Sequence, residues 1–212
     1  MSYHTRAVEV IRVGSVPSTQ DAARRLPIGS VVVAEHQTAG RGRLDRRWEA
    51  PPGTALLASW VMPPHGLASL AAGVAAAHAC GESVRLKWPN DLLLGGRKLG
   101  GILVERTADA CIVGTGINLR WAPDGAAMLD QDRDELVERM AAEMTRWFAA
   151  TEDQVLAGWR ERSDTLGRRV RVHLQDETFE GVAEDIAPDG CLEVAGRKVS
   201  AGDVIHLRSD GD

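Results

Sequence analysis

Cysteine is scarce in this chain of 212 residues, and its count is odd. Cys80, Cys111 and Cys191 lie far apart and form no cluster with histidines at zinc-ligand spacing. Neither a disulfide framework nor a zinc site is expected. No apolar run approaches the ~18 residues of a membrane-spanning helix, and the N-terminus lacks the charged-then-apolar pattern of a secretory signal. The expected compartment is therefore the cytosol. A cationic surplus is missing too: 25 Lys and Arg face 30 Asp and Glu, for a net charge of -5. That balance argues against a general nucleic-acid or membrane binder, which needs a basic face to neutralise phosphates. Internal repeats and low-complexity segments are also absent. What remains, at 44% hydrophobic residues, suits one substantial domain with a small appendage.

Against this acidic background one stretch stands out, Gln37 to Trp48, which reads Gln-Thr-Ala-Gly-Arg-Gly-Arg-Leu-Asp-Arg-Arg-Trp. It follows the apolar run Val31-Val32-Val33-Ala34 and ends near Pro51-Pro52-Gly53. No apolar period runs through it, so a loop is expected. Its glycines would let backbone approach a ligand, and Arg41, Arg43, Arg46 and Arg47 offer forked donors to carboxylate or phosphate. A solvated arginine-rich turn is the plainer reading, since no phosphate-loop spacing is present.

The remaining pattern alternates short strands with a few helices. Strands are expected at Ala7 to Val13, Ser30 to His36, Thr54 to Met62, Val84 to Lys87, Leu92 to Leu94, Lys98 to Glu105 and Ala110 to Val113. Pro17-Ser18-Thr19 opens a helix, with Ser18 and Asp21 spaced like a capping box. Ser18 and Thr19 are then either cap residues or ligand-binding hydroxyls. Gly66 to Cys80 reads as a buried alanine-rich helix, and Gln131 to Ala150 and Thr151 to Ser163 as two more. Gly95-Gly96 is a hairpin turn, so Lys87, Asn90, Asp91 and Lys98 share one hairpin. Strict alternation puts Lys98, Gly100, Ile102 and Val104 on one face. Gly114-Thr115-Gly116-Ile117-Asn118 is either a bulged strand with a turn, or a strand ending in an amide able to read a base edge. From about Leu166 a small all-β unit begins, with strands around Val170 to Leu174, Phe179 to Asp185, Cys191 to Val194 and Val204 to Leu207.

In this order the segments resemble the biotin protein ligases. The resemblance rests on Ser18-Thr19, the Gln37 to Trp48 loop, Lys87-Trp88-Pro89-Asn90-Asp91, Arg97 to Glu105, Gly114 to Asn118, and the closing Gly202 to Arg208. It covers nearly the whole chain. It implies an α+β fold: a mixed sheet backed by helices as in class II aminoacyl-tRNA synthetases over 1–165, and a small SH3-like β-barrel over 166–212. The implied reaction joins biotin to ATP with Mg²⁺, giving biotinyl-5′-AMP, and then acylates a lysine of a biotin carboxyl carrier domain. The resemblance carries Ser18, Thr19, Gln37, Gly40, Arg41, Lys98, Gly101, Leu103 and Gly114 to the biotin side. It carries Arg43, Trp48, Asn90 and Asn118 to the ATP side, and makes Asp91 a metal or water-shell ligand. Lys98, Lys87, Arg41 and Arg43 would supply fixed positive charge where two anions meet. The loop would order as ligand charge arrives.

Three departures from the family pattern stand out. Gln20 replaces an asparagine often found after Ser-Thr, a change expected to bear on helix capping more than on binding. Asp45 stands where the loop usually has glycine, which points to a stiffer loop or an internal Asp–Arg pair. The motifs also begin within about ten residues of the N-terminus, so no DNA-binding helix-turn-helix is expected. A lipoate–protein ligase and a non-catalytic biotin-binding sensor are the competing readings. Nothing in the pattern chooses between monomer and dimer.

Overall fold

The computed structural model describes residues 8–200 and 202–207, so Ala7 and Arg208 lie outside the described residues. Seven strands form one sheet: β1 (Glu9–Val16), β2 (Ser30–Gln37), β3 (Ala55–Met62), β4 (Val84–Lys87), β5 (Asp91–Leu94), β6 (Arg97–Arg106) and β7 (Cys111–Asn118). Their order is β1-β2-β3-β7-β6-β5-β4. Only β1 and β2 run parallel, so the sheet is mixed and largely antiparallel. Strand β3 is buried along its whole length, which explains why its sequence is apolar at every position but Ser59 rather than alternating.

One face of the sheet packs on α2 (Ala68–Cys80), α3 (Arg133–Phe148) and α4 (Glu152–Arg162). Eleven residues of α2 are buried because it lies between the sheet and the other two helices, and its alanines permit that close approach on every side. The outer helices carry their own start signals. Asp132 accepts from the backbone N–H groups of Asp134 and Glu135, and Thr151 with Gln154 closes a capping box. The opposite face of the sheet carries the short α1 (Thr19–Ala23) and the arginine loop, over small apolar clusters such as Ala34, Ala55 and Leu57.

The C-terminal unit is a second, antiparallel sheet of five strands: β8 (Arg169–His173), β9 (Thr178–Ile186), β10 (Leu192–Val194), β11 (Arg197–Val199) and β12 (Asp203–His206). The order is β11-β10-β9-β8-β12. Strand β11 has only three residues and carries no apolar alternation that the sequence could announce. The buried side chains of this second sheet, among them Val170, Leu192 and Val204, join the core of the main sheet.

Three local expectations are corrected. Strand β6 is bulged: Leu92 pairs with Gly100 but Leu93 pairs with Lys98, so Leu99 is the extra residue. Ile102 and Val104 therefore face the core, whereas Lys98 swings to the side of Gly101. The capping box at Ser18 does not form, because Asp21 is drawn into an ion pair with Arg41 and Ser18 makes no side-chain cap. Strand β7 runs unbulged from Cys111 to Asn118, paired throughout with β3 and from Cys111 to Ile117 with β6.

Candidate functional site

A cleft opens on the face of α1 and the arginine loop. Six cationic side chains line it (Arg41, Arg43, Arg46, Arg47, Lys87 and Lys98) against two carboxylates, Asp91 and Asp203. In a chain of net charge -5 such a local excess marks an anion site.

The arginine loop is more ordered than its composition announces. Arg41 and Arg47 form a β-bridge, Gly42 N–H donates to the Arg46 carbonyl at 2.7 Å, and Trp48 N–H to the Gly40 carbonyl at 3.0 Å. Gly40 is small for the sake of this closure: a Cβ there would meet the Trp48 carbonyl oxygen at 2.3 Å. Leu44 and Asp45 at the tip hold left-handed backbone, φ 53° and 56°. That conformation explains why glycine suits position 45, and among the described residues Asp45 joins no ion pair.

Several cations are parked on carboxylates. Arg41 grips Asp21 at 2.9 and 2.8 Å and reaches Glu105 at 3.3 Å. Its hydrogen bonds hold the Asp21 carboxyl below the usual range. Arg46 meets Asp203 at 2.6 Å, tying the loop to β12. Lys98 Nζ lies 2.7 Å from Asp91 Oδ1. Arg43 differs: burial depresses its affinity for the proton, and its hydrogen bond goes to the neutral Asn90 Oδ1 at 3.3 Å.

The inner end of the cleft is polar. Gln37 Oε1 accepts from Thr19 N–H at 2.8 Å and Thr19 Oγ1 at 3.0 Å, which leaves the Gln37 amide nitrogen as its free group. Ser18 Oγ, Gln20 Oε1 and Trp48 Nε1 are buried without a hydrogen-bond partner. Buried polar atoms seldom stay unpaired, so three at one cleft point to a polar ligand. Gln20 thus lines the cleft and does not cap α1, contrary to the expectation for that departure.

Trp88 is clamped from the C-terminal side. Its backbone N–H donates to Thr165 Oγ1 at 2.9 Å and its indole N–H to the Gly190 carbonyl at 3.1 Å. Thr165 Oγ1 also lies 3.1 Å from His206 Nε2, and His206 Nδ1 faces Asp164 Oδ2 at 3.5 Å. Burial, then the charge of Lys87, lowers His206 from 6.5 to about 4. Unfolding frees the ring to take a proton below about pH 6.5. The contribution of neutral His206 is thus complete above that pH and is lost as pH falls to about 4. The melting temperature of the wild type is expected to fall across this window more than that of His206→Gln. Parallel curves would remove His206 from the account.

Two family models match the chain: the Biotin/lipoate A/B protein ligase family over residues 12–120, and the Biotin protein ligase C terminal domain over 165–207. The chain belongs to the biotin/lipoate protein ligase family. Among its relatives, the biotin–[acetyl-CoA-carboxylase] ligase of Mycobacterium tuberculosis is 38% identical, over 85% of this chain and 80% of that protein. The bifunctional ligase/repressor BirA of Escherichia coli is 32% identical over 81% of the chain, which spans 63% of BirA. A biotin protein ligase from Aquifex aeolicus, solved with biotin and ATP, superposes with a TM-score of 0.82 at 25% identity, covering 95% of this chain and 99% of that one.

Within this ligase fold the cleft gathers Ser18, Thr19, Gln37, Arg41, Arg43, Trp48, Lys87, Asn90, Asp91, Lys98, Gly101, Leu103 and Gly114. Gly40 sits behind the loop, outside the cleft lining. Asn118 is buried at the end of β7 and donates to the Ala127 carbonyl at 2.9 Å, also outside the lining. The Trp48 ring lies against Gly116 and Gly101, beside the residues expected on the biotin side. Sequence reading gave no role to Gly116, Trp88, Thr165 or Asp203. The Gly114–Gly116 spacing does place both on one strand face, and that signal was there to use.

Proposed function

We propose that the chain is a biotin–protein ligase acting on the carrier domain of an acetyl-CoA carboxylase. The observation that carries this is one cleft holding Lys98, Lys87 and Arg43 beside a polar end built from Ser18, Thr19, Gln20 and Gln37. The name of the Mycobacterium tuberculosis relative, 38% identical, supports both activity and acceptor.

A carboxylate oxygen of biotin attacks the α-phosphorus of ATP, the bond to the β-phosphate oxygen breaks, and pyrophosphate leaves. Both reactants are anions, so fixed cations lower the barrier by cancelling repulsion and stabilising the charge that builds at phosphorus. Lys98 leaves Asp91 for this charge; Lys87 and Arg43 flank the phosphates. The carboxylate is already ionised, so little acid–base chemistry is required and positioning supplies most of the rate. A neutral lysine amine of the carrier then attacks the acyl carbon, AMP leaves, and an amide forms. Mg²⁺ suits the site: Asp91 and Asp203 would face an ion held mainly by phosphate oxygens, where it would neutralise their charge. Among the described residues no group of three acidic, histidine or cysteine side chains could hold a metal ion. Among the described residues no helix is long and apolar enough to cross a membrane.

The test measures pyrophosphate release from ATP and Mg²⁺ with biotin or lipoate in separate reactions, followed by addition of a carrier domain. Biotin-dependent release and a matching mass gain on the carrier are expected. Lipoate-dependent release would move the chain to the sister activity, and tight biotin binding without release would make it a sensor.

A further inference from the structure

Strand β4 ends the main sheet, so one side of its backbone lacks a strand partner. The segment that opens the C-terminal unit covers that side. Ser163 bridges Leu86 in parallel register, and Asp164 N–H donates to the Leu86 carbonyl at 2.8 Å. Just beyond, Trp88 N–H donates to Thr165 Oγ1 at 2.9 Å. Lys87 stands between these two bonds and pairs with Asp91 of β5 across the ladder. The peptides on both sides of Lys87 are thus oriented by Asp164 and Thr165. Thr165 is fully buried and itself held, since Ser163 Oγ accepts from the N–H groups of Thr165 and Leu166, both at 3.1 Å. Its hydroxyl also lies 3.1 Å from His206 Nε2 on β12, the strand that sends Asp203 and Val204 into the cleft. After burial, the charge of Lys87 is the largest influence holding His206 below its usual range, so the ammonium stands near this cluster. A methyl group in place of the Thr165 hydroxyl would leave the buried Trp88 N–H unpaired.

We propose that Thr165 is a positioning residue for the adenylation step: through the Trp88 N–H it fixes the backbone from which Lys87 extends, and so places the Lys87 charge at the ATP phosphates. This rests on the ligase reading above, in which Lys87 flanks those phosphates. Thr165 lies outside the cleft lining, so it acts through Lys87 and touches no reactant. A charge displaced by about an ångström from developing negative charge costs on the order of 10²-fold in rate. The biotin side takes no support from this segment: the hydrogen bonds of Thr19 and Gln37 run to each other and to Ser59. The effect is therefore confined to the use of ATP.

The experiment measures pyrophosphate release with ATP and biotin varied in turn. Thr165→Val, equal in shape but without the hydroxyl, is expected to lower kcat/KM for ATP by about tenfold to a hundredfold and to leave the KM for biotin within about twofold. Thr165→Ser, which keeps the acceptor, is expected to stay within about threefold of wild type. The deciding comparison is the double-mutant cycle with Lys87→Ala. In that background Thr165→Val is expected to add less than about twofold, since the charge it positions is gone. Thr165→Cys, with a weakly accepting thiol of similar size, takes the place of Thr165→Val in the cycle if the valine variant does not fold. Additive losses in the cycle would overturn the proposal, as would a serine variant as impaired as the valine one. So would equal losses toward ATP and biotin with a lowered melting temperature, which would make Thr165 a brace between the two sheets. Failure of the ligase reading looks different: the wild type would then release no pyrophosphate with biotin itself.

Discussion

Lys98→Ala is expected to lower biotin-dependent pyrophosphate release by about 10²- to 10³-fold while the protein stays folded. The size follows from removing a fixed charge where negative charge builds in the transition state. Its position depends on the bulge at Leu99, which turns the amine from the core face to the cleft beside Gly101. Stability should change little. The side chain is 44% exposed and its partner is Asp91, and an ion pair so open to solvent contributes about 0–1 kcal/mol. Melting curves and single-turnover pyrophosphate release, run on the same preparation, check both halves. Release within about threefold of wild type would end the assignment of Lys98 to the chemistry.

Gly116→Ala is expected to impair biotin use by about 100-fold, through Trp48 and not through the strand. A methyl group at Gly116 would stand 2.4 Å from Trp48 Cε2 and 2.8 Å from Cδ2 and Cζ2, closer than carbon atoms can approach. Strand β7 is held by regular pairing on both sides, so the indole has to leave its seat. Displacing a positioning group by an ångström costs on the order of 10²-fold in rate. Because the effect passes through the ring, Trp48→Ala in the Gly116→Ala background should add little further loss. Fully additive losses in that double-mutant cycle would show that the clash with Trp48 is not the cause.

The two variants mark where sequence reading succeeded and where it stopped. Lys98 was legible because it belongs to a contiguous motif, Arg97 to Glu105, whose residue types already state a charge beside backbone glycines. The face it occupies was not, because a β-bulge adds one residue and inverts an alternation that is correct elsewhere. The reason for Gly116 was hidden as well. Its tight partner, Trp48, is far away in the chain and reaches it only through the closed arginine loop.

Periodicity and local punctuation determined much of the fold from the sequence alone. Apolar runs gave the strands of the main sheet, Gly95-Gly96 its hairpin, alanine-rich composition the buried α2, and the change of texture near Leu166 the second sheet. These are near-neighbour properties, set by the geometry of a few residues. Tertiary structure alone decided which charges pair and which polar atoms remain unsatisfied. Asp21 left its helix cap for Arg41, Arg46 found Asp203, and Trp88 found Thr165, partners 20, 157 and 77 residues apart. Ion pairs and buried hydrogen bonds act through space within a few ångströms, so their partners become known only when the sheets and loops are stacked.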